Sequence, residues 1–227
     1  MKLETWQGII IALVVYGVVG YANQFGAENQ ILQYEMGHPP LYDRIHNVLP
    51  VVPKLWTDVL TVSIVGYFVL RWGIKYPKVL ENYLWIVAIL FVGRVIIFTM
   101  TQFPPARPEC STRTEGEKLH FRVFKKGWRE CKDALYSGHT LHVVLVLLFV
   151  LYLSKSTAEK SVLFALVILD LTLILASRIH YTCDVLVATL VTILMFYAWP
   201  GVDNVVKNIA EGGIYGIMLK QTHNLMK

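Results

Sequence analysis

The chain has 227 residues, of which 55% are hydrophobic and only 16% are charged, and its formal net charge is +5. Because a soluble domain carries about 25% charged residues, this composition disfavours a soluble globular protein and excludes a disordered, collagen-like or disulfide-dense chain. The positive charge fits contact with anionic lipid headgroups, and no basic patch interleaved with aromatic residues indicates a nucleic-acid partner. We therefore expect a small integral membrane protein.

Six continuous apolar segments, near the length needed to cross a bilayer, follow one another along the chain. They cover residues 6–22, 55–72, 83–101, 138–153, 161–176 and 181–199. None alternates apolar and polar residues with the two-residue period of a strand, so we predict helices. The expected fold is a single all-α domain over residues 1–227, built as a bundle of six transmembrane helices.

The first segment also resembles a signal peptide, since Lys2 precedes it and the small residues Gly20 and Ala22 lie at its end. Its near-spanning length favours a retained helix. Six spans would place both termini on one side of the membrane and the loops 23–54 and 102–136 on the other. Lys and Arg are almost equally divided between the two sides, so charge alone does not orient the bundle.

A histidine and an aspartate stand four residues apart at the start of the sixth segment. On a helix, His180 and Asp184 would share one face. The carboxylate would then fix the tautomer of the imidazole and leave its second nitrogen free to attack or to take a proton.

A second polar segment, Cys131–Thr140, enters the fourth span at the same predicted membrane face. Ser137 and Gly138 allow a tight turn before a helix whose free N–H groups and dipole suit a phosphate oxygen. His139 would project beside the bound anion. Two histidines and one carboxylate at a membrane surface indicate phosphoryl transfer.

The remaining histidines are interpreted as hydrated interfacial side chains. They are His38, His46, His120, His142 and His223. No cluster of residues has a spacing typical of metal ligands, and we predict neither a metal nor a cofactor.

Four stretches together resemble the motifs of the sphingomyelin synthase family, within the lipid phosphate phosphatase-like (PAP2) superfamily. Pro39–Asp43 is similar to the family's Pro-Pro-Leu-Pro-Asp, and residues 94–104 are similar to its segment from an arginine to Thr-x-Leu-Pro. Cys131–Thr140 closely resembles Cys-Gly-Asp-Tyr-Leu-Phe-Ser-Gly-His-Thr. His180–Asp184 resembles His-Tyr-Thr-[Ile/Val]-Asp. The resemblance runs from about residue 39 to 190 and implies a PAP2-like bundle.

This resemblance implies an enzyme that moves a phosphorylated headgroup between lipids. In such enzymes the later histidine, here His180, attacks the phosphorus of a glycerophospholipid while His139 protonates the departing diacylglycerol. His139 then deprotonates the primary hydroxyl of ceramide, which attacks the phosphohistidine. Asp184 orients His180.

The chain departs from the family pattern in three places. Lys132 replaces a glycine, Cys183 replaces a β-branched residue and Tyr42 replaces a proline. The pair Arg107-Pro108 lacks the lysine that phosphatases of the broader superfamily carry six residues before it, which favours transfer over phosphomonoester hydrolysis.

Several residues near the motifs are candidates for binding the headgroup. They are Arg94, Lys132, Asp133, Tyr136, Ser137, Gly138 and Arg178. Arg94 lies in a predicted span and either lines the headgroup pocket or pairs with Asp170 in the fifth span. Asp133 either positions His139 or the cationic amine of a headgroup, or caps the start of the helix. Arg178 either binds phosphate or anchors the chain at the interface. The interfacial aromatics Tyr136, Tyr181 and Trp128 either contact a choline-like cation or anchor the chain in the membrane.

Three cysteines allow at most one disulfide bond. Cys110 and Cys131 share one long loop and are expected to pair if that loop lies outside the cytosol, which leaves Cys183 as a free thiol. The resemblance implies an exoplasmic catalytic face and cytosolic termini, in the Golgi or the plasma membrane.

The sequence therefore predicts a ceramide phosphotransferase that uses phosphatidylcholine and yields sphingomyelin and diacylglycerol. The expected partners are lipid substrates and the membrane, and the sequence does not decide whether the chain forms a homo-oligomer. Alternatives are an ethanolamine- or inositol-phosphoceramide synthase, a transferase to diacylglycerol, a phospholipase C-like hydrolase and an inactive membrane scaffold.

Overall fold

The computed structural model describes residues 3–33, 39–101, 103–104, 106 and 136–202. Its helices are α1 (Leu3–Gln33), α2 (Arg44–Val48), α3 (Lys54–Phe68), α4 (Pro77–Met100), α5 (Gly138–Leu153), α6 (Thr157–Ala176) and α7 (Thr182–Ala198). A π-helical turn, Val69–Gly73, continues α3. The described ranges contain no strand, so the prediction of an all-α protein is confirmed for them.

Each of the six predicted apolar segments contains a helix, but among the described residues only three helical segments are long and apolar enough to count as membrane spans. These are Thr5–Asn23, Lys54–Gly73 and Pro77–Ile97. Helices α5 and α7 are apolar but shorter. Six transmembrane helices therefore remain a proposal for this bundle.

Several predicted boundaries are wrong, because polar residues continue or begin the helices. The loop predicted from residue 23 is helical as far as Gln33, a stretch with several good helix formers and no proline. Helix α4 begins at Pro77, where a proline suits the first helical position. Helix α6 begins at Thr157 because the side chain of Ser156 caps it, accepting the backbone N–H of Glu159.

Helix α5 forms the centre of the bundle. It packs against α3, α4, α6 and α7, while α1 packs along α4 on the outside. The apolar side chains of α5 that are completely buried are Leu141, Val143, Leu145, Val146 and Val150. Large apolar side chains on the outer faces are exposed, among them Val18, Val62, Leu70, Leu186 and Leu194. This pattern, apolar inside and outside, fits helices surrounded by lipid.

The polar ends of the helices meet at the two ends of the bundle. At one end, α5 and α7 begin beside each other, and the backbone N–H of Ser137 donates to the carbonyl of Asp184 at 3.4 Å. The two histidine segments therefore lie on the same side of the bundle, as the sequence predicts. At the other end, Glu159 links α6 to α3 and α5.

Candidate active site

Ser137 places His139 in the first turn of α5. The side chain of Ser137 is the N-cap and accepts the backbone N–H of Thr140 at 3.2 Å, and Ser137 itself is fully buried. The imidazole rings of His139 and His180 then lie with their centroids 6.4 Å apart at an angle of 69°. The structure thus brings together the two histidines that the sequence singled out.

His180 and Asp184 are close, although not by the geometry predicted. Helix α7 begins only at Thr182, so His180 precedes the helix and the two residues do not share a helical face. Asp184 stands in the first turn and accepts the backbone N–H of Tyr181 at 2.9 Å. The bend before α7 brings Nδ1 of His180 within 3.5 Å of Oδ2 of Asp184, with both side chains almost completely buried.

Asp58 is a site residue that the sequence reasoning missed. Its Oδ1 lies 3.0 Å from Nε2 of His139, and Nζ of Lys54 lies 3.9 Å from the same oxygen. The sequence does mark Asp58, because it is a carboxylate inside a predicted apolar segment. A charge at such a position is costly in a membrane and is usually functional. Asp170 and Arg94 stand deeper in their apolar segments, whereas Asp58 stands near the edge of its segment and resembles an interfacial charge.

A cavity of about 390 Å³ opens beside His139. Its lining residues are Asp58, Thr61, Val62, Phe91, Arg94, Gly138, His139 and His142. This volume is in the range of small-molecule pockets and accommodates a phosphorylated headgroup. Within the described ranges, no group of three or more His, Cys, Asp or Glu residues is arranged to hold a metal ion.

Arg94 supplies positive charge to the cavity wall. It is 3% exposed, and its Nε donates to the carbonyl of Tyr136 at 2.9 Å. A Cβ atom on Gly138 would lie 3.5 Å from Nη1 of Arg94, so the start of α5 and the guanidinium are in close approach. Asp170 accepts a hydrogen bond from Thr61 instead, so the alternative pairing of Arg94 with Asp170 is not formed.

Asp43 ties the first motif to the start of α7. Its two carboxylate oxygens accept the backbone N–H of Thr182 at 2.7 Å and the hydroxyl of Thr182 at 2.8 Å. Burial opposes ionisation of this carboxyl, but the hydrogen bonds from Thr182 and Ile45 and the nearby His46 hold the pKa of Asp43 below its usual value.

Tyr181 joins three of the four motifs. Its hydroxyl accepts the backbone N–H of Leu41 at 3.0 Å and donates to the carbonyl of Pro104 at 3.0 Å. The ring is 2% exposed and stacks on His46, with centroids 5.6 Å apart. Tyr181 is therefore a buried support of the site and not an exposed membrane anchor.

His46 and Arg178 also support the loop that carries His180. His46 is buried, and its Nε2 lies 3.0 Å from the carbonyl of His180, to which it donates. The prediction of a hydrated interfacial side chain is therefore wrong for His46. Nη2 of Arg178 donates to the carbonyl of His46 at 3.1 Å, and Arg178 has a positive φ of 52°, which is uncommon for a residue other than glycine.

His142 is the second histidine whose predicted environment is wrong. Its Nδ1 lies 2.7 Å from the hydroxyl of Tyr83 and its Nε2 lies 3.2 Å from the hydroxyl of Tyr16. His142 is thus held inside the bundle and contributes to the cavity wall.

Of the remaining predicted residues, the structure describes Tyr136 and Cys183. Tyr136 is 1% exposed, and burial raises the pKa of its phenol. Cys183 is an exposed free thiol. The predictions for Lys132, Asp133, Trp128 and the Cys110–Cys131 disulfide lie outside the described residues, as do those for His38, His120 and His223.

Residues 130–200 match the model of the PAP2 superfamily C-terminal region. The chain is 33% identical over 119 residues to a phosphatidylethanolamine:ceramide ethanolaminephosphotransferase of Trypanosoma brucei brucei, covering 49% of this chain and 37% of the relative. It is 32% identical over 119 residues to a phosphatidylinositol:ceramide inositolphosphotransferase of Trypanosoma cruzi, covering 48% and 35%.

A third relative is sphingomyelin synthase-related 1 of Caenorhabditis elegans, 26% identical over 178 residues, with 70% of this chain and 37% of the relative covered. The matches therefore span little more than a third of the length of these relatives. The region that matches the PAP2 model contains His139, His180 and Asp184. These findings confirm the resemblance of this chain to the ceramide phosphotransferases of the PAP2 superfamily.

Proposed function

We propose that this protein transfers a phosphorylated headgroup from a glycerophospholipid to the primary hydroxyl of ceramide and releases diacylglycerol. The observation that carries the proposal is the pairing of each histidine with its own carboxylate, Asp58 with His139 and Asp184 with His180, beside a cavity that Arg94 also lines. The names of the similar proteins support the same reaction class.

The first half of the reaction forms a phosphohistidine. His180, whose Nδ1 faces Asp184, attacks the donor phosphorus through Nε2. The bond between phosphorus and the diacylglycerol oxygen breaks, and His139 gives that oxygen its proton. His180 is buried and does not line the cavity, and the centroid of its ring lies 6.4 Å from that of His139. The donor phosphate must therefore move past His139 to come within reach of His180.

The second half reverses these roles. His139 takes the proton of the ceramide hydroxyl, the ceramide oxygen attacks phosphorus, and the bond to His180 breaks. Asp58 stabilises the imidazolium form of His139, and Asp184 does the same for His180. Arg94 and the N–H groups at the start of α5 offset the charge that develops on the phosphate oxygens.

The donor predicted from the sequence is phosphatidylcholine, whereas two of the similar proteins are named for ethanolamine and inositol headgroups. We therefore define the reaction by the transferred phosphate and treat the headgroup as a separate question. The proposed setting is a membrane of the Golgi or the cell surface, with the site on the exoplasmic face and both termini in the cytosol.

The test is a vesicle assay with fluorescent ceramide and one donor at a time: phosphatidylcholine, phosphatidylethanolamine or phosphatidylinositol. We expect a ceramide product from at least one donor, and no product from His180→Ala or His139→Ala at unchanged thermal stability. An equal product yield from wild type and His180→Ala contradicts the proposal. Release of diacylglycerol without ceramide would identify a hydrolase instead.

A further inference from the structure

Asp170 is a buried carboxylate that the proposed chemistry does not use. It lies within α6, its exposed fraction is 0%, and its helical face is otherwise formed by Leu163, Val167 and Ile174. Oδ2 accepts the hydroxyl of Thr61 at 2.8 Å, whereas Oδ1 has no hydrogen-bond partner among the described residues. An incompletely satisfied acid inside an apolar bundle destabilises the fold, so packing alone does not explain it.

Thr61 connects this acid to the cavity. It belongs to α3, lines the cavity and stands one turn after Asp58, which lines the same wall. Because the hydroxyl of Thr61 donates its single proton to Asp170, its oxygen is left as a hydrogen-bond acceptor. This wall therefore combines an oriented acceptor with the carboxylate of Asp58, while Asp170 lies behind Thr61 and does not line the cavity.

The other charged side of the cavity has the opposite sign. Arg94 contributes from α4, and Gly138 marks the start of α5, where backbone N–H groups favour an anion. A ligand that fits both sides carries a phosphate at one end and a cation with N–H donors at the other. Phosphoethanolamine has both groups.

We infer that Thr61, oriented by Asp170, accepts a hydrogen bond from the ammonium of the transferred headgroup and makes the site select ethanolamine over choline. A primary ammonium offers three N–H donors, whereas the trimethylammonium of choline offers none. Inositol offers hydroxyl donors but no positive charge to meet the carboxylate of Asp58. This inference rests on the proposed transfer reaction, and it replaces the phosphatidylcholine donor predicted from the motifs.

The experiment is a competition among donors in vesicles that contain equal amounts of phosphatidylethanolamine, phosphatidylcholine and phosphatidylinositol. Ceramide products are separated by headgroup with mass spectrometry. We expect wild type to form mainly the ethanolamine product. Thr61→Val should lower the ratio of ethanolamine to choline product by about 10- to 100-fold, because a hydrogen bond to a charged group is lost.

Two variants and one control separate the contributions. Thr61→Ser keeps the hydroxyl and should restore most of the ratio, whereas Asp170→Asn keeps an acceptor for Thr61 but removes the charge and should give an intermediate ratio. Thr192→Val removes another buried threonine hydroxyl, from α7, and should leave the ratio unchanged.

The outcomes distinguish this inference from the proposed function. A wild type that makes more choline than ethanolamine product, or a Thr61→Val ratio equal to that of wild type, overturns the selection of ethanolamine while the transfer reaction stands. The absence of any ceramide product from wild type overturns both. If Asp170→Asn does not fold, the comparison of Thr61→Val with Thr61→Ser still decides, since a structural defect lowers all products together.

Discussion

The two ends of the bundle use carboxylates in opposite ways. At one end, Glu159 accepts hydrogen bonds from Trp72 at 3.0 Å, from the hydroxyl of Tyr67 and from the hydroxyl of Ser154. Arg71 lies 4.0 Å from the same carboxylate. Protein donors therefore occupy the carboxylate oxygens of Glu159, and these hydrogen bonds connect α6 to α3 and to the end of α5.

At the other end, three carboxylates face imidazoles or keep an oxygen without a donor in the described part of the chain, unlike Asp43, which is saturated by Thr182 and the start of α2. Asp58 and Asp184 each face one imidazole, and Asp170 has one oxygen without a hydrogen-bond partner among the described residues. The cavity lies among these groups. The comparison indicates that the carboxylate at one end holds helices together, whereas these three carboxylates lie beside the imidazoles and the cavity of the candidate site.

The largest loss of turnover is expected from a substitution at Asp184, at the end of the bundle that carries the candidate site. We expect Asp184→Asn to lower turnover by about 10²- to 10⁴-fold, because the amide no longer stabilises the imidazolium of His180. Turnover is measured with fluorescent ceramide at saturating donor, and the melting temperature in detergent checks the fold. Unchanged turnover would remove Asp184 from the site.

A smaller loss is expected at Asp58, whose side chain is 42% exposed. Asp58→Asn should lower turnover by about 10- to 100-fold, because His139 loses the carboxylate that holds its ring in position at 3.0 Å. Ser63→Ala, on the exposed face of the same helix, serves as the matched control and should behave as wild type. Equal turnover of Asp58→Asn and Ser63→Ala would contradict a role for Asp58 in the chemistry.

At the other end the same kind of change should affect stability rather than turnover. Glu159→Gln replaces one accepting oxygen with a donor and should destabilise the fold by about 1–3 kcal/mol, which lowers the melting temperature. Turnover per folded molecule should stay near the wild-type value. A loss of turnover without a loss of stability would show that the two ends are coupled.

The smallest effect concerns the pH dependence of the loop that holds His180. Since the pKa of Asp43 is lowered in the folded state, its contribution to stability is present above the usual value of 3.8 and is lost as the pH falls through the lower folded value. Asp43→Asn should therefore melt below wild type at neutral pH, and the difference should shrink below pH 3.8. A difference that is constant across pH would exclude the ionised carboxylate as its cause.

Local sequence signals predicted the helices well, because each apolar run is longer than a strand of a globular protein and lacks two-residue alternation. They failed at helix ends, where capping by Ser156 and the proline at Pro77 outweighed the change from apolar to polar residues. They also predicted that His180 and Asp184 share one helical face, whereas the helix begins at Thr182, two residues after His180. The ends of a helix depend on a few capping hydrogen bonds, and the pattern of apolar residues in the sequence does not reveal these bonds.

The sequence by itself determined the all-helical character, the order of the apolar segments and the identity of His139, His180 and Asp184, because composition and short motifs are local properties. Only the tertiary structure paired His139 with Asp58, and Thr61 with Asp170, across separations of 81 and 109 residues. Those pairs depend on how each helix is rotated about its axis and how far it is shifted along its neighbour. Rotation and shift follow from the packing of many side chains together, which no single segment encodes.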